Sequence, residues 1–180
     1  NTVCAFLIIV LANCSSEHEN ADSNSVVHGH DISYTVHVDY SRTLDEMIVP
    51  SRYDWVDNAI TEPNFPIKRG QNGYTKVEVV SVQFSKDMGR DWMLGRLDNL
   101  GLRPARIEEL LALDESILNN QDFPFPSVAL GSVWVAPNGY AYVPYLDKQG
   151  PKPFLSLTLA VGTAPYHRWS SVCHFLAVRE

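Results

Sequence analysis

The chain has 180 residues and a formal net charge of −7, with 45% hydrophobic and 19% charged residues. This composition is typical of one globular domain of ordinary size and excludes a wholly disordered chain. The charge is uneven, because seven of the 21 acidic residues but only one of the 14 basic residues lie in the first 50 positions. The remainder is nearly neutral and has no basic stripe, so nucleic acid is not an expected partner.

The chain begins with an apolar run over residues 3–12, which has the length of a signal-peptide core and is too short to span a bilayer. Residues 11–15, Leu-Ala-Asn-Cys-Ser, resemble a bacterial lipoprotein signal, in which a cysteine after small residues receives lipid. Asn13 departs from this pattern, where Gly, Ala or Ser is usual. We interpret residues 1–14 as a signal-like segment and Cys14 as the lipidation residue. The protein is then an exported, membrane-anchored lipoprotein or a periplasmic or extracellular protein. The alternative is a cytoplasmic protein.

Residues 15–32 are rich in Ser, Asn, Glu and Asp and are interpreted as a polar tether. His28, His30 and Asp31 are suitable ligands for a transition metal, but they lie in this tether, where nothing preorganises them. No metal site and no cofactor are therefore predicted. Residues 33–180 are expected to form a single globular domain.

The first half of the domain begins with alternating residues 34–40, which predict a strand. A short helix follows, because Thr43 and Glu46 have the spacing of a capping box. Residues 50–73 are rich in helix breakers and are expected to form a long ordered loop. Residues 75–84 alternate as a second strand with two apolar faces.

Two helices are predicted next, over residues 89–100, before Gly101, and over residues 106–113, after Pro104. The last third predicts strands over residues 127–135, 140–146, 154–161 and 172–178, with a turn at Asn138 and Gly139. This order predicts an α+β fold with a mostly antiparallel sheet. The first and last strands are expected to pair or to lie close together.

No common catalytic motif is present: the sequence has no phosphate-binding glycine loop, HExxH, CxxC or GxSxG. Cys173 with His167 is a candidate nucleophile and base, if a loop folds back. His174 cannot serve Cys173, because neighbours on a strand point to opposite faces. The alternative is that Cys173 is a buried, unreactive thiol.

Arg103 precedes the second helix, where a guanidinium can clamp a carboxylate of a ligand or of the protein itself. Glu108 and Glu109 are adjacent, so they do not face one site; first-turn charge stabilisation explains them better.

Aromatic residues concentrate around the C-terminal hairpin and suit either a binding surface or a core. They are Trp134, Tyr140, Tyr142, Tyr145, Tyr166 and Trp169. Trp134 is expected to be structural, whereas Trp169 lies in a polar loop and is the strongest ligand candidate. The predicted ligand-binding residues are therefore Arg103, Tyr166, His167 and Trp169.

Five blocks of sequence are similar to a set of short uncharacterised bacterial proteins; they are YDWV at 53–56, GLRPA at 101–105, EELLAL at 108–113, ALGSVW at 129–134 and FLAVR at 175–179. More weakly, the Gly-x-Arg-Pro block, the helix after it and the late tryptophan hairpin resemble C-type-lectin-like domains. That resemblance implies pairing of the first and last strands and ligand contacts on late loops. The sequence departs from it in showing no disulfide pair, calcium-ligand cluster or catalytic cysteine pair.

The leading hypothesis is a non-enzymatic binding or interaction module for an unknown small-molecule or protein ligand, with membrane contact only through a lipid anchor. The alternatives are an enzyme of unrecognised class that uses Cys173, His167 or Arg103, and an intracellular domain.

Overall fold

A computed structural model describes residues 32–67, 73–161 and 168–179. In the described residues the strands are β1 Ile32–Asp39, β2 Trp55–Val56, β3 Tyr74–Gln83, β4 Leu102–Pro104, β5 Ser127–Val128, β6 Trp134–Val135, β7 Ala141–Lys148, β8 Pro153–Leu159 and β9 His174–Arg179. The helices are α1 Leu44–Met47, α2 Arg90–Asn99, α3 Ile107–Leu111 and α4 Glu115–Leu118, with a 3-10 helix at Pro50–Arg52. The predicted signal-like segment, Cys14 and almost all of the tether lie outside the described residues.

The strands form one sheet in the order β1-β3-β9-β5-β7-β8-β2, with β4 also paired to β9 and β6 also paired to β7. The α+β class is therefore confirmed. The sheet is mixed: β2 pairs with β8 and β5 pairs with β9 in parallel, whereas the other pairings between the described strands are antiparallel. Parallel neighbours are joined through long connections, which local hairpin patterns in a sequence do not reveal.

The first and last strands lie in the same sheet, with β3 between them. They are therefore close, as predicted, but they do not pair directly. β9 is central, because β3, β4 and β5 all pair with it.

The sheet buries a core on each face, as the alternation in β3 predicted. Val77 and Val79 pack in one core with side chains of α1, α3, α4 and the loop over residues 53–67. Val80 and Val82 pack in the other core with Met93 of α2. No helix of the described residues has both the length and the apolar character needed to cross a membrane.

Local signals located the first two helices well. At α1, the Glu46 backbone N–H donates to Thr43 Oγ1 at 3.3 Å and the Thr43 N–H donates to Glu46 Oε2 at 2.8 Å, which completes the predicted capping box. α2 ends at Asn99, with Leu100 as its C-cap, and Gly101 follows with a φ of +68°, a left-handed conformation that favours glycine.

The predicted strand over residues 127–135 is wrong, because the structure has two short strands, β5 and β6, with an irregular segment between them. In this segment the Gly131 N–H donates to Ala105 O at 2.8 Å. A Cβ at Gly131 would lie 2.7 Å from the backbone oxygens of Ala105 and Pro104. The chain therefore leaves the strand path to pack against the backbone that precedes α3. β4 and α4 were not predicted, since three or four residues are too few to show a period.

Candidate functional site

Arg103 binds one of the protein's own carboxylates. Its Nη2 donates to Glu109 Oε1 at 2.7 Å, and the Glu109 side chain is fully buried. The same carboxylate accepts the Tyr40 hydroxyl at 2.7 Å and the Arg106 backbone N–H at 2.6 Å. This cluster ties β4 and α3 to Tyr40, the residue that follows β1, so of the two alternatives for Arg103 the structure shows the internal carboxylate.

The electrostatics of the cluster fix its protonation at neutral pH. Burial alone would raise the pKa of Glu109, but the bond and charge of Arg103, together with the bonds from Tyr40 and Arg106, outweigh burial and hold that pKa below its ordinary value. Burial, and then the bond to Glu109, raise the pKa of Tyr40 to about 12. Glu109 is therefore ionised and Tyr40 protonated, which suits a structural role.

Glu108 and Glu109 lie in the first turn of α3, as predicted, but both are buried. The sequence analysis explained both residues as charges that stabilise the first turn of the helix, and it did not predict that their side chains are buried. The available signal was the pair of arginines at 103 and 106, which is the right chemistry for a desolvated carboxylate.

Cys173 is half-buried and directly precedes β9. Burial raises the pKa of its thiol, and the negative charges of Asp147 and Asp87 raise it further. The neighbouring His174 has its Nδ1 3.3 Å from Ser81 Oγ, and burial lowers the pKa of this imidazole. The thiol is therefore protonated at neutral pH.

The structure does not bring Arg103 and Cys173 together. Arg103 lies opposite Val178 of β9, five residues along the chain from Cys173, a distance of roughly 16 Å at the rise of a strand. Tyr166 and His167 lie outside the described residues. The base predicted for Cys173, His167, therefore falls outside the described part of the chain.

Trp169, the strongest ligand candidate of the sequence analysis, is buried in the core. Its side chain is 4% exposed, and its indole N–H donates to Ala160 O at 3.3 Å. Its ring packs edge-on against Phe175 with centroids 5.4 Å apart. The neighbouring residues are polar, but the ring itself turns into the core beneath α2.

The hairpin aromatics divide between packing and exposure. Trp134 is partly buried and lies 6.3 Å from Phe65 and 5.8 Å from Tyr142, measured between ring centroids. Tyr145 packs edge-on against Phe154. Tyr140, by contrast, is 59% exposed at the hairpin turn. The structural role expected for Trp134 fits these contacts.

Sequence reasoning did not find a cleft of about 320 Å³ along the outer side of β1, which we call the β1 cleft. One wall is the consecutive run of residues 35–39. The facing wall includes Arg42, Met47, Arg52 and Leu111. Tyr74 lies at the rim.

Local hydrogen bonds hold the polar groups of the β1 cleft in place. Arg52 Nη1 donates to the backbone oxygens of Leu111 at 2.8 Å and Leu113 at 3.0 Å, and so caps the end of α3. Asp114 caps α4, and its bonds to Ser116 and then to nearby backbone N–H groups hold the pKa of its carboxyl below the ordinary value. The facing wall is thus preorganised.

The rim of the β1 cleft carries its most accessible aromatic group. Tyr74 is 72% exposed and stacks on His37, with ring centroids 5.3 Å apart and an interplanar angle of 11°. A stacked, exposed ring on a strand is an available contact for a ligand.

A second cleft, of about 270 Å³, lies at the start of α3 and is bordered by Phe65, Arg106 and Val133. Glu108 borders both clefts. Within residues 32–67, 73–161 and 168–179, no group of three or more His, Cys, Asp or Glu residues is placed to hold a metal ion.

Comparison with known proteins adds no relative: no protein-family model, no curated protein and no solved structure matches the chain. A function for this domain is therefore argued from its own geometry.

Proposed function

We propose that this domain is a non-enzymatic binding module and that the β1 cleft is its ligand site. The observation that carries the proposal is the cleft itself, whose facing wall is fixed by capping hydrogen bonds and whose rim offers an exposed aromatic ring. Its volume of about 320 Å³ lies at the lower end of the range for ligand sites.

The positions of the candidate catalytic groups support a binding module over an enzyme. Arg103 donates to the buried carboxylate of Glu109, and burial raises the pKa of the Cys173 thiol. A nucleophilic cysteine needs the opposite shift and a base within hydrogen-bond reach. The enzyme hypothesis that uses Cys173, His167 or Arg103 is the rival proposal.

The site is tested by a matched pair of tyrosine variants. Tyr74→Ala removes the exposed ring at the rim of the β1 cleft, and Tyr140→Ala removes a similarly exposed ring at the distant hairpin turn. A library of small molecules and short peptides is screened against the wild-type protein by ligand-observed NMR. We expect binders whose signals are lost with Tyr74→Ala and kept with Tyr140→Ala.

The opposite pattern, with binders lost only in Tyr140→Ala, would move the ligand site to the hairpin. A library with no cleft binder would contradict the proposal. If the protein converted a library member into a product and Cys173→Ser abolished this conversion, the enzyme hypothesis would be supported instead.

Export and lipidation of Cys14 are a separate proposal, supported by the apolar run, the cysteine after it and the polar tether. A bacterial lipoprotein of this kind would carry the binding module clear of the membrane surface. The test is the intact mass of the protein in the membrane fraction, after expression of the complete gene. Unprocessed protein in the cytosol, unchanged by Cys14→Ala, would reject it.

A C-type-lectin-like fold is likewise a proposal. The closeness of β1 and β9 in one sheet supports this proposal. The position of β3 between them counts against it, because the resemblance implies that the first and last strands pair directly. An experimental structure with the same intervening strand would count against it.

A further inference from the structure

We propose that the β1 cleft binds an extended polypeptide segment, which adds to the sheet as a strand alongside β1. This inference rests on the proposed binding function and specifies the class of ligand.

The shape of the cleft shows that it lies beside the backbone of β1. Side chains of a strand alternate between the two faces of a sheet, so a cleft on one face meets every second residue. The β1 cleft is instead lined by every residue from 35 to 39. It therefore follows the edge of the strand, over a length of about 13 Å from residue 35 to residue 39 at the usual rise per residue.

Two backbone hydrogen bonds establish which groups point into the cleft. The Tyr40 N–H donates to Gly73 O at 3.2 Å. The backbone N–H and C=O groups of the even-numbered residues of β1 therefore point toward β3 as well. Asp39 O accepts the Arg42 N–H at 3.2 Å, on the side away from β3. By the same alternation, Thr35 and His37 direct their N–H and C=O groups into the cleft.

The two edges of the sheet differ in a way that favours this use of β1. The opposite edge, β2, has only two residues, which is a common protection against pairing with another chain. β1 has eight residues, and among the described residues no backbone-to-backbone hydrogen bond reaches its outer side beyond the turn at Asp39. A long open edge with this hydrogen-bonding pattern is the surface used in strand addition.

The facing wall favours a single segment over a second sheet. The β1 cleft has a volume of about 320 Å³, and its facing wall includes Met47 and Leu111. A second copy of the domain that paired through its own β1 would bring the matching wall of its own cleft into this space, whereas a single extended segment brings no such wall. The buried side chains of Met47 and Leu111 line the inner wall, and Tyr74 lies at the rim. Because side chains of an added strand alternate, the preferred ligand has apolar residues at alternate positions.

The variant that tests strand addition is His37→Pro. Proline removes the N–H that points into the cleft and places a ring there, while the bonds between β1 and β3 stay intact. Ser33→Pro is the matched control, because Ser33 has the same outward orientation but does not line the cleft. His37→Ala removes the imidazole and keeps the backbone N–H, so it measures the contribution of the side chain alone.

The probe is a phage-displayed library of random linear dodecapeptides, selected on the full-length protein, with the most enriched peptide then synthesised. We expect its Kd to rise about 10-fold or more in His37→Pro, from a lost hydrogen bond and a steric clash, to rise clearly less in His37→Ala, which keeps the backbone N–H, and to change little in Ser33→Pro. Bound peptide should slow amide hydrogen exchange at Thr35 and His37, whereas Val36 and Val38 are protected with and without it. Two-dimensional NMR spectra confirm that each variant is folded.

Three outcomes would overturn the inference. Peptides that shift the resonances of the cleft but bind His37→Pro as tightly as wild type would reject strand addition and leave the β1 cleft as a ligand site. Strand addition would also be rejected, with the β1 cleft kept as a ligand site, if the selection enriched no cleft-binding peptide while small molecules bound the wild type and not Tyr74→Ala. A dimer in sedimentation that His37→Pro dissociates would assign the edge to a second copy of the chain.

Discussion

Arg103 and Glu109 form an ion pair with a 2.7 Å distance between Nη2 and Oε1, at the junction of β4 and α3. The carboxylate is wholly buried and also accepts the Tyr40 hydroxyl. Because the protein supplies these partners from three elements, the pair fixes how α3 lies against β1 and thereby shapes one wall of the β1 cleft.

Removal of the buried carboxylate should be costly. Glu109→Ala leaves Arg103 without its buried partner, so we expect the free energy of unfolding to fall by about 3–5 kcal/mol in urea denaturation. Glu78→Ala is the control, since Glu78 pairs with Arg179 at 3.3 Å on the surface, where a loss below about 1 kcal/mol is expected. Equal losses in the two variants would contradict the structural role of Glu109.

Glu109 should also make stability depend on pH in the acid range. Its pKa is lower in the folded protein than the ordinary value of 4.5, so the unfolded chain binds a proton first as the pH falls. The stabilisation is therefore complete above that ordinary value, declines as the pH falls below it, and is lost once the pH passes the lowered folded pKa. Glu109→Gln should flatten the loss of stability between neutral pH and acid. A wild-type acid profile that is unchanged in Glu109→Gln would refute this.

Trp169 should contribute to stability as a core residue. Trp169→Ala removes a buried ring, with an expected loss of about 3–5 kcal/mol in the free energy of unfolding. Trp55→Ala, at a tryptophan that is 51% exposed, should cost clearly less. If the two losses were equally small, the ligand contact predicted for Trp169 would be favoured over a core role.

Two glycines should respond oppositely to alanine. Gly131→Ala places a Cβ 2.7 Å from two backbone oxygens, so we expect destabilisation of about 1–3 kcal/mol. Gly95→Ala is in the middle of α2 with nothing within 4 Å of the added Cβ, and should stabilise by about 0.5–1 kcal/mol. The midpoint temperatures of thermal unfolding test both variants, and a Gly131→Ala variant as stable as the wild type or more so would contradict the close approach at Gly131.

Cys173 should react slowly in the native protein. Burial first, and then the charges of Asp147 and Asp87, raise the pKa of its thiol, so little thiolate exists at neutral pH. Peptide mapping after iodoacetamide treatment at pH 7 should find Cys173 largely unmodified, and modified much faster in urea. Rapid native alkylation would restore the enzyme hypothesis.

The sequence by itself determined the elements whose signals are local. The capping box of Thr43 and Glu46 identified α1, Gly101 marked the end of α2, and alternation in β3 predicted a core on each face. These signals suffice because a cap or a period depends on residues within one or two turns of the chain.

Only the tertiary structure decided which of these residues face solvent, a partner or a cleft. Glu109 is buried because Tyr40, 69 residues away, meets it, and Trp169 is buried because its loop turns onto Phe175. The open edge of β1 was equally invisible in the alternation of residues 34–40. Alternation reports which face of a strand is apolar, whereas an edge position depends on how distant strands pair, here β3 with both β1 and β9.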